Sequence, residues 1–345
     1  MKPERLDMIL IANSEKKKTL VGGSLVFLFT LLLISDSIAK EKLAQTGFQF
    51  LSVATDARAG ALGDAMTSLE LGAASLYFNP AGMARSSSRF ELLATQNRWI
   101  ADIMYNSYAV SLRPLEGRYG VFGLSLVSVD YGEVEGTMVW SNEQGYIDTE
   151  VMNPTAFSAG LGYAKSLTDK FAVGGQIKYA GQQLGKSMTT VGTDSLHVKK
   201  NLAFATAVDF GTLYRTGFKS LVFGMSVRNF SNEIKFEKEA FQLPLTFRLG
   251  LSLDLLDLLP EKPVHSLIMS IDASHPRSYP EQMMVGLQYC FQETLYLRVG
   301  YEGNHDENDI SFGFGLSRFG LSFDYAYTPY GVFDNVQRMS LRFSI

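Results

Sequence analysis

Few side chains in this 345-residue sequence are spaced to do chemistry. The four histidines, His197, His265, His275 and His305, lie far apart. None belongs to an H-x-x-x-H pair or accompanies a Gly-x-Ser-x-Gly turn, so neither a zinc hydrolase nor a serine hydrolase is indicated. The single cysteine, Cys290, has no histidine beside it to draw off its proton, which leaves it a small inward-facing side chain. One cysteine also makes neither an intramolecular disulfide nor a multi-cysteine metal site. The run from Glu302 to Asp309 sets oxygen ligands at alternate positions, as calcium favours, but lacks the spacing and closing Glu of an EF-hand. A solvated hairpin loop accounts for it. The expectation is a protein with no catalytic residues, no metal and no cofactor.

The most specific residues lie between positions 47 and 85. The run Gly47–Ala65 carries Asp56, Arg58, Gly60, Gly63 and Asp64, and the run Ala73–Ala84 carries Asn79, Pro80, Ala81 and Gly82. Glycine and alanine at this density let backbone pack against backbone, as a segment folded inside a lumen must. Asp56 and Arg58 supply charges that can bridge to a surrounding wall. Asn79-Pro80 is a turn signal, with Pro fixing φ and Asn satisfying nearby backbone groups. A phosphate-binding loop does not fit, because no strand precedes the glycines and no Gly-Lys-Ser/Thr follows. Phe50, Tyr77, Phe78 and Met83 are the apolar residues of this segment. They line a pocket for a hydrophobic small molecule, or they simply seal the segment.

The wall that would hold such a segment is the rest of the chain. From Phe90 to the last residue, apolar and polar positions alternate in stretches of about ten residues, the length and period of a membrane-crossing strand. Leu321, Phe323, Tyr325 and Tyr327 share one face, opposite Ser322, Asp324, Ala326 and Thr328. Counting such stretches predicts a transmembrane antiparallel β-barrel of about 14 strands over residues 90–345. The connections sort by length. Short turns fall at Pro114–Gly117, Thr168-Asp169, Thr216-Gly217, Gln292-Glu293 and Arg318-Phe319, and longer loops at about 131–155, 185–198, 231–242, 303–308 and 329–337. Leu255–His265 is the exception, a longer stretch where a short turn is due. A charge on the lipid face would cost about 2–4 kcal/mol for Arg, so Arg228, Arg248, Asp254, Gln288, Arg298, Asp324 and Arg342 are assigned to the lumen. Tyr325, Tyr327 and Tyr330 are expected at the membrane interfaces. The 131–155 loop, with Trp140, Tyr146, Ile147 and Met152, exposes apolar groups that mark a partner surface or fold over the mouth.

Residues 1–39 read as a signal peptide: Lys16, Lys17 and Lys18, an apolar stretch from Leu20 to Ile34, then Ser37-Ile38-Ala39 as a cleavage site. Cleavage near Ala39 leaves residues 40–89 as the lumen segment. A net charge of -4 with scattered Lys and Arg gives no basic stripe, which excludes nucleic acid as a partner. Charged residues are only 19% of the chain, low for a protein surrounded by water.

The run Phe-Leu-x-x-x-x-Asp-Ala-Arg-Ala-Gly-x-x-Gly-Asp-Ala at Phe50–Ala65, followed by Tyr-Phe-Asn-Pro-Ala-Gly-Met-Ala at Tyr77–Ala84, resembles the start of the PorV/PorQ family. These are outer-membrane proteins associated with the type IX secretion system, related in fold to the FadL-type long-chain fatty acid transporters. The resemblance implies a 14-stranded barrel in a Gram-negative outer membrane, with residues 40–89 as an N-terminal hatch around Asn79-Pro80-Ala81. It also implies a non-catalytic accessory role. The partners would then be outer-membrane lipid, the type IX translocon and surface-attachment components, and cargo carrying a C-terminal sorting domain. The FadL side of the resemblance implies instead passive transport of long-chain fatty acids or other hydrophobic compounds.

Overall fold

Alternation in the sequence becomes a wall with two unlike faces. In Val121–Asp130 the residues Val121, Gly123, Ser125, Val127 and Val129 are buried, while Phe122, Leu124 and Leu126 are exposed. A computed structural model describes residues 46–191, 195–235, 240–260, 264–304, 310–331 and 335–345. The signal peptide and its cleavage site lie outside the described residues, as do the start of the lumen segment, His305 and most of the acidic run after Glu302.

The strands are β1 (Phe90–Arg98), β2 (Met104–Leu112), β3 (Val121–Asp130), β4 (Thr155–Ser166) and β5 (Phe171–Val191). They continue as β6 (Ser195–Arg215), β7 (Val222–Ser231), β8 (Thr246–Asp254), β9 (His265–Pro276) and β10 (Gln282–Phe291). The last four are β11 (Leu295–Gly303), β12 (Ile310–Arg318), β13 (Leu321–Pro329) and β14 (Asn335–Ser344). Each pairs antiparallel with its sequence neighbours, and β1 closes on β14 from Glu91 opposite Ser344 to Arg98 opposite Gln337. The fold is a closed 14-stranded antiparallel barrel. Leu124, Leu161, Ile177, Leu297, Phe312 and Leu341 are exposed on its outside, an apolar belt suited to hydrocarbon rather than water.

Two expectations change. The β5–β6 connection is a hairpin, not a loop over 185–198, because strand pairing continues from Gly185 opposite Asn201 to Val191 opposite Ser195. A bulge between Gln183 and Gly185 breaks the alternation there, which ends the sequence signal but not the ladder. With 21 residues in each strand, the hairpin stands roughly 30 Å beyond its neighbours. The long turn after β8 starts with a 3-10 turn, Leu255–Leu258, whose Leu256 amide donates to Asp254 Oδ1 at 3.0 Å. The second change concerns Tyr330. It points inward, 5% exposed, and meets the Trp99 ring edge-on at 5.1 Å, so it belongs to no interfacial girdle.

Residues 46–85 pack against the inward-facing side of the wall. They touch strands on every side of the barrel, and from Ala61 to Leu69 every residue is buried. The segment enters at the end bearing the long loops, where Thr46 bridges Gln242. It leaves at the opposite end, the end of the short turns, where Arg89 donates to the Ile345 carbonyl. Within it, α1 (Ala57–Ala61) begins at Asp56, whose Oδ1 accepts from the Arg58 amide at 3.3 Å. Pro80 opens a 3-10 turn, Pro80–Arg85, after Asn79. The wall makes room for this segment with inward-facing glycines. At Gly174 a Cβ would stand 2.5 Å from the Ala81 amide nitrogen, a backbone atom that cannot swing away. Gly174→Val is therefore expected to destabilise the barrel by about 1–3 kcal/mol. It should lower the temperature at which the folded band is lost in semi-native electrophoresis, while Ile177→Val on the outer face changes it little.

Candidate functional site

The sequence-predicted residues of the lumen segment are tied to the wall by side chains far away in sequence. Asp56 accepts from Ser340 Oγ at 2.8 Å, and Ser340 Oγ also accepts from the Ala57 amide at 2.9 Å. Asp64 faces Arg248 at 2.6 Å, and Arg248 also donates to the Asp64 carbonyl at 3.1 Å. Gly63 and Asp64 are both left-handed, with φ of 58° and 60°, so the chain makes a tight turn here against Gly300 of β11. A side chain at 63 would strike the Tyr301 backbone at 2.9 Å. The backbone then passes Asp272 of β9, which accepts from the amides of Met66 at 3.0 Å and Thr67 at 2.9 Å.

Asn79 ties three stretches of chain together. Its Nδ2 donates to the Thr67 carbonyl at 2.7 Å and to the Thr212 carbonyl of β6 at 3.0 Å, while its Oδ1 accepts from the Ala81 amide at 3.1 Å. Gly60 lets the Arg338 side chain cross over α1, and Gly82 packs beneath Ser75 and the Leu69 carbonyl. Arg58 reaches the turn end of the lumen. Burial lowers its guanidinium to about 10, and the Arg298 and Arg342 charges act the same way. Tyr77 donates its hydroxyl to the Tyr108 carbonyl at 2.7 Å, and burial pushes its phenol above the ordinary range, so it remains a donor at neutral pH.

Two cavities flank this segment. The loop-end cavity, about 450 Å³, has Trp99, Tyr279, Pro280 and Tyr330 at its rim. Arg228, Arg248 and Arg338 lie deeper, with Asp64 and Glu302. Arg338 lies 5.3 Å over the Trp99 ring and donates to Thr328 Oγ1 at 2.9 Å and the Ala54 carbonyl at 3.1 Å. Arg228 donates to the Leu51 carbonyl at 3.2 Å. The turn-end cavity, about 540 Å³, is bounded by Arg58, Glu70, Lys170, Arg215 and Asp254 among others. A third space of about 30 Å³ lies between Phe50, Tyr77 and the wall. Phe78 and Met83 border none of these three cavities and are enclosed in the core between segment and wall.

Of the charges assigned to the lumen, Arg298 and Asp324 pair at 2.6 Å and Gln288 accepts from Arg298 at 2.8 Å. Arg342 lies 3.3 Å from Glu91. Cys290 is buried on the inner face of β10. Sequence reasoning passed over Trp99, Asp272 and Arg338, and weighed Glu302 only as the start of a loop run. Two of them carry a parity signal, since Arg338 shares a face with Ser340 and Arg342, and Asp272 with Ser270 and Ser274.

No protein-family model and no curated protein matches this chain. Solved structures do. The Ralstonia pickettii toluene transporter TbuX superposes with a TM-score of 0.58 at 12% identity, over 88% of this chain and 99% of that one. The CymD monoaromatic hydrocarbon channel gives 0.57 at 10% identity, over 85% and 98%. A Pseudomonas aeruginosa FadL homologue gives 0.52 at 11%, over 84% and 98%. At these identities the likeness is one of fold, that of the FadL-like outer-membrane barrels.

Asn79→Ala removes two donors and an acceptor at once, and each buried group left unpaired costs about 1–3 kcal/mol. The expected result is faster amide hydrogen exchange at Met66, Thr67 and Ala81 with exchange in β12–β14 unchanged.

Proposed function

We propose that this chain is an integral outer-membrane protein of a Gram-negative bacterium, with the short turns in the periplasm. In this reading it takes up a small hydrophobic or amphipathic compound from outside, without catalysis. The observation that carries the proposal is the loop-end cavity, where an aromatic rim stands above three guanidinium groups. That arrangement fits a compound with an apolar body and a polar or acidic head, the body against Trp99 and Tyr330 and the head toward Arg338 or Arg228. The occurrence of the same fold in a toluene transporter and a monoaromatic hydrocarbon channel supports it. The sequence has only two tryptophans, Trp99 and Trp140, so in a Trp140→Phe background fluorescence reports on the cavity rim alone. Titration with laurate or benzoate is expected to give saturable quenching that Arg338→Ala weakens about tenfold, or roughly 1.4 kcal/mol. Absence of saturable quenching up to millimolar ligand would sink the reading.

A second reading has its own support in the residue run 47–85 and in one loop. Thr137–Val139 pairs with Tyr146–Asp148 as a hairpin that exposes Val139, Trp140 and Tyr146 at the loop end. An accessory of type IX secretion, holding cargo with a C-terminal sorting domain for the translocon and attachment machinery, would use such a surface. Deleting the gene and comparing surface and medium proteomes tests it. The reading expects a set of exported proteins sharing one C-terminal domain to be lost or left unprocessed. An unchanged secretome removes it.

A further inference from the structure

The two cavities approach each other along the inner faces of β8 and β9. On β8 the inward residues run Thr246, Arg248, Gly250, Ser252 and Asp254. The first two border the loop-end cavity and the last two the turn-end cavity, so only Gly250 lies between. On β9, Ser274 borders the first and Ile268 the second, with Ser270 and Asp272 between them. The lumen segment follows the same steps. Gly63 and Asp64 border the loop-end cavity and Ser68 to Glu70 the turn-end cavity, with Met66 and Thr67 facing Asp272. From Arg248 to Ser252 is four residues of strand, roughly 13 Å. Residues 65–67 of the lumen segment occupy that interval.

Polar contacts hold that stretch to the wall beside the apolar packing of Leu62, Met66 and Leu69. Asp272 accepts two of its amides, Arg248 holds Asp64, and Ser252 Oγ donates to the Ser68 carbonyl at 3.3 Å. Asp64 keeps a left-handed conformation unusual for a residue other than glycine, a strain that Arg248 restrains. Arg248 Nε, Asp64 Oδ1, Ser68 Oγ and Ser274 Oγ are buried along this path without a protein partner among the described residues. Groups of this kind are satisfied by water wherever there is room for it. In the loop-end cavity three arginines face two carboxylates, and in the turn-end cavity four basic side chains face three carboxylates.

From this we propose that the barrel has a second activity, independent of the uptake reading. It is a gated pore for small hydrophilic anions, in which residues 63–68 are the gate and Asp272 with Arg248 the latch. When the latch releases, the turn relaxes, and the β8–β9 face becomes a continuous wet path from the loop end to the turn end. The polar groups on this route, Arg248, Asp272, Asp64 and Ser252, stand beside apolar ones such as Met66 and Ile268.

The test is single-channel recording in planar bilayers with potassium chloride, using purified full-length protein. The wild type is expected to show rare, brief openings. Asp272→Ala should raise the time-averaged conductance several-fold, and in a salt gradient its reversal potential should report preference for chloride over potassium. Gly250 carries no positive φ, and a Cβ there would stand 2.9 Å from Thr67 Cβ, near enough for a disulfide after a small shift. In a Cys290→Ala, Asp272→Ala background, oxidised Thr67→Cys, Gly250→Cys protein should be closed, and reduction should open it. If Asp272→Ala yields no folded barrel, Arg248→Met is recorded in the same way and is expected to conduct. The proposal is overturned by a latch variant that keeps its heat-modifiable barrel yet conducts no more than the wild type. It is equally overturned if reduction of the disulfide leaves the current unchanged, or if the current prefers cations.

Discussion

Everything in this molecule depends on β1 pairing with β14. Backbone amides and carbonyls have no partner in hydrocarbon, so a sheet that crosses a membrane must have no free edge. The eight matched pairs from Glu91–Ser344 to Arg98–Gln337 remove that edge by joining strands some 240 residues apart in the chain. The union also sets the geometry of the interior. Once the circle is closed, the inward residues of 14 strands face one another across a lumen, and what fills the lumen must match them.

The match is made by two opposite devices. Where the lumen segment comes closest, the wall has glycines, as at Gly174 and Gly300, and the segment brings its backbone or an alanine. Where it stands further off, the wall sends long polar side chains to meet backbone groups that have no ladder partner. Arg338 and Arg228 donate to the carbonyls of Ala54 and Leu51, Asp272 accepts from Met66 and Thr67, and Asn79 answers from the segment with its bonds to Thr67 and Thr212. A segment with so little regular structure remains inside because its backbone bonds are completed by the wall. The arrangement is uneven. The side from β3 to β6 is sealed by Leu76, Phe78 and Met83. The β8–β9 side adds charges and hydroxyls to the packing of Met66 and Ile268, and the cavities approach each other there.

The arginines show how one side chain serves several ends. Arg298 is satisfied within the wall by Asp324 and Gln288 and braces it. Arg338 holds the segment and also presents its face to Trp99 at the loop-end cavity. Arg248 is both a wall residue and the counter-ion of the gate turn. Burying a guanidinium is tolerable only where such partners are fixed. The loop-end cavity sits beside Arg248 and Arg338.

Much of the fold was legible in the residues. Period-two alternation fixes which side chains face lipid and which face inward, because successive residues on a strand point to opposite sides. Glycine and alanine density marked residues 47–85 as a closely packed segment, and the motif around Asn79-Pro80 marked its turn. Parity placed Arg228, Arg248 and Arg298 indoors. The sequence pattern failed where a bulge interrupts alternation, at Gly185, and where a terminal aromatic turns inward, at Tyr330. Parity tells which face a residue takes and nothing about what it meets there. Asp272 meets Met66 across 206 positions, and Asp56 meets Ser340 across 284. Those encounters depend on strand register around a closed circle and on the route of an irregular segment through it. Both are set by the sum of weak contacts over the whole barrel, so the site, the cavities and the stretch between them were decided by tertiary structure alone.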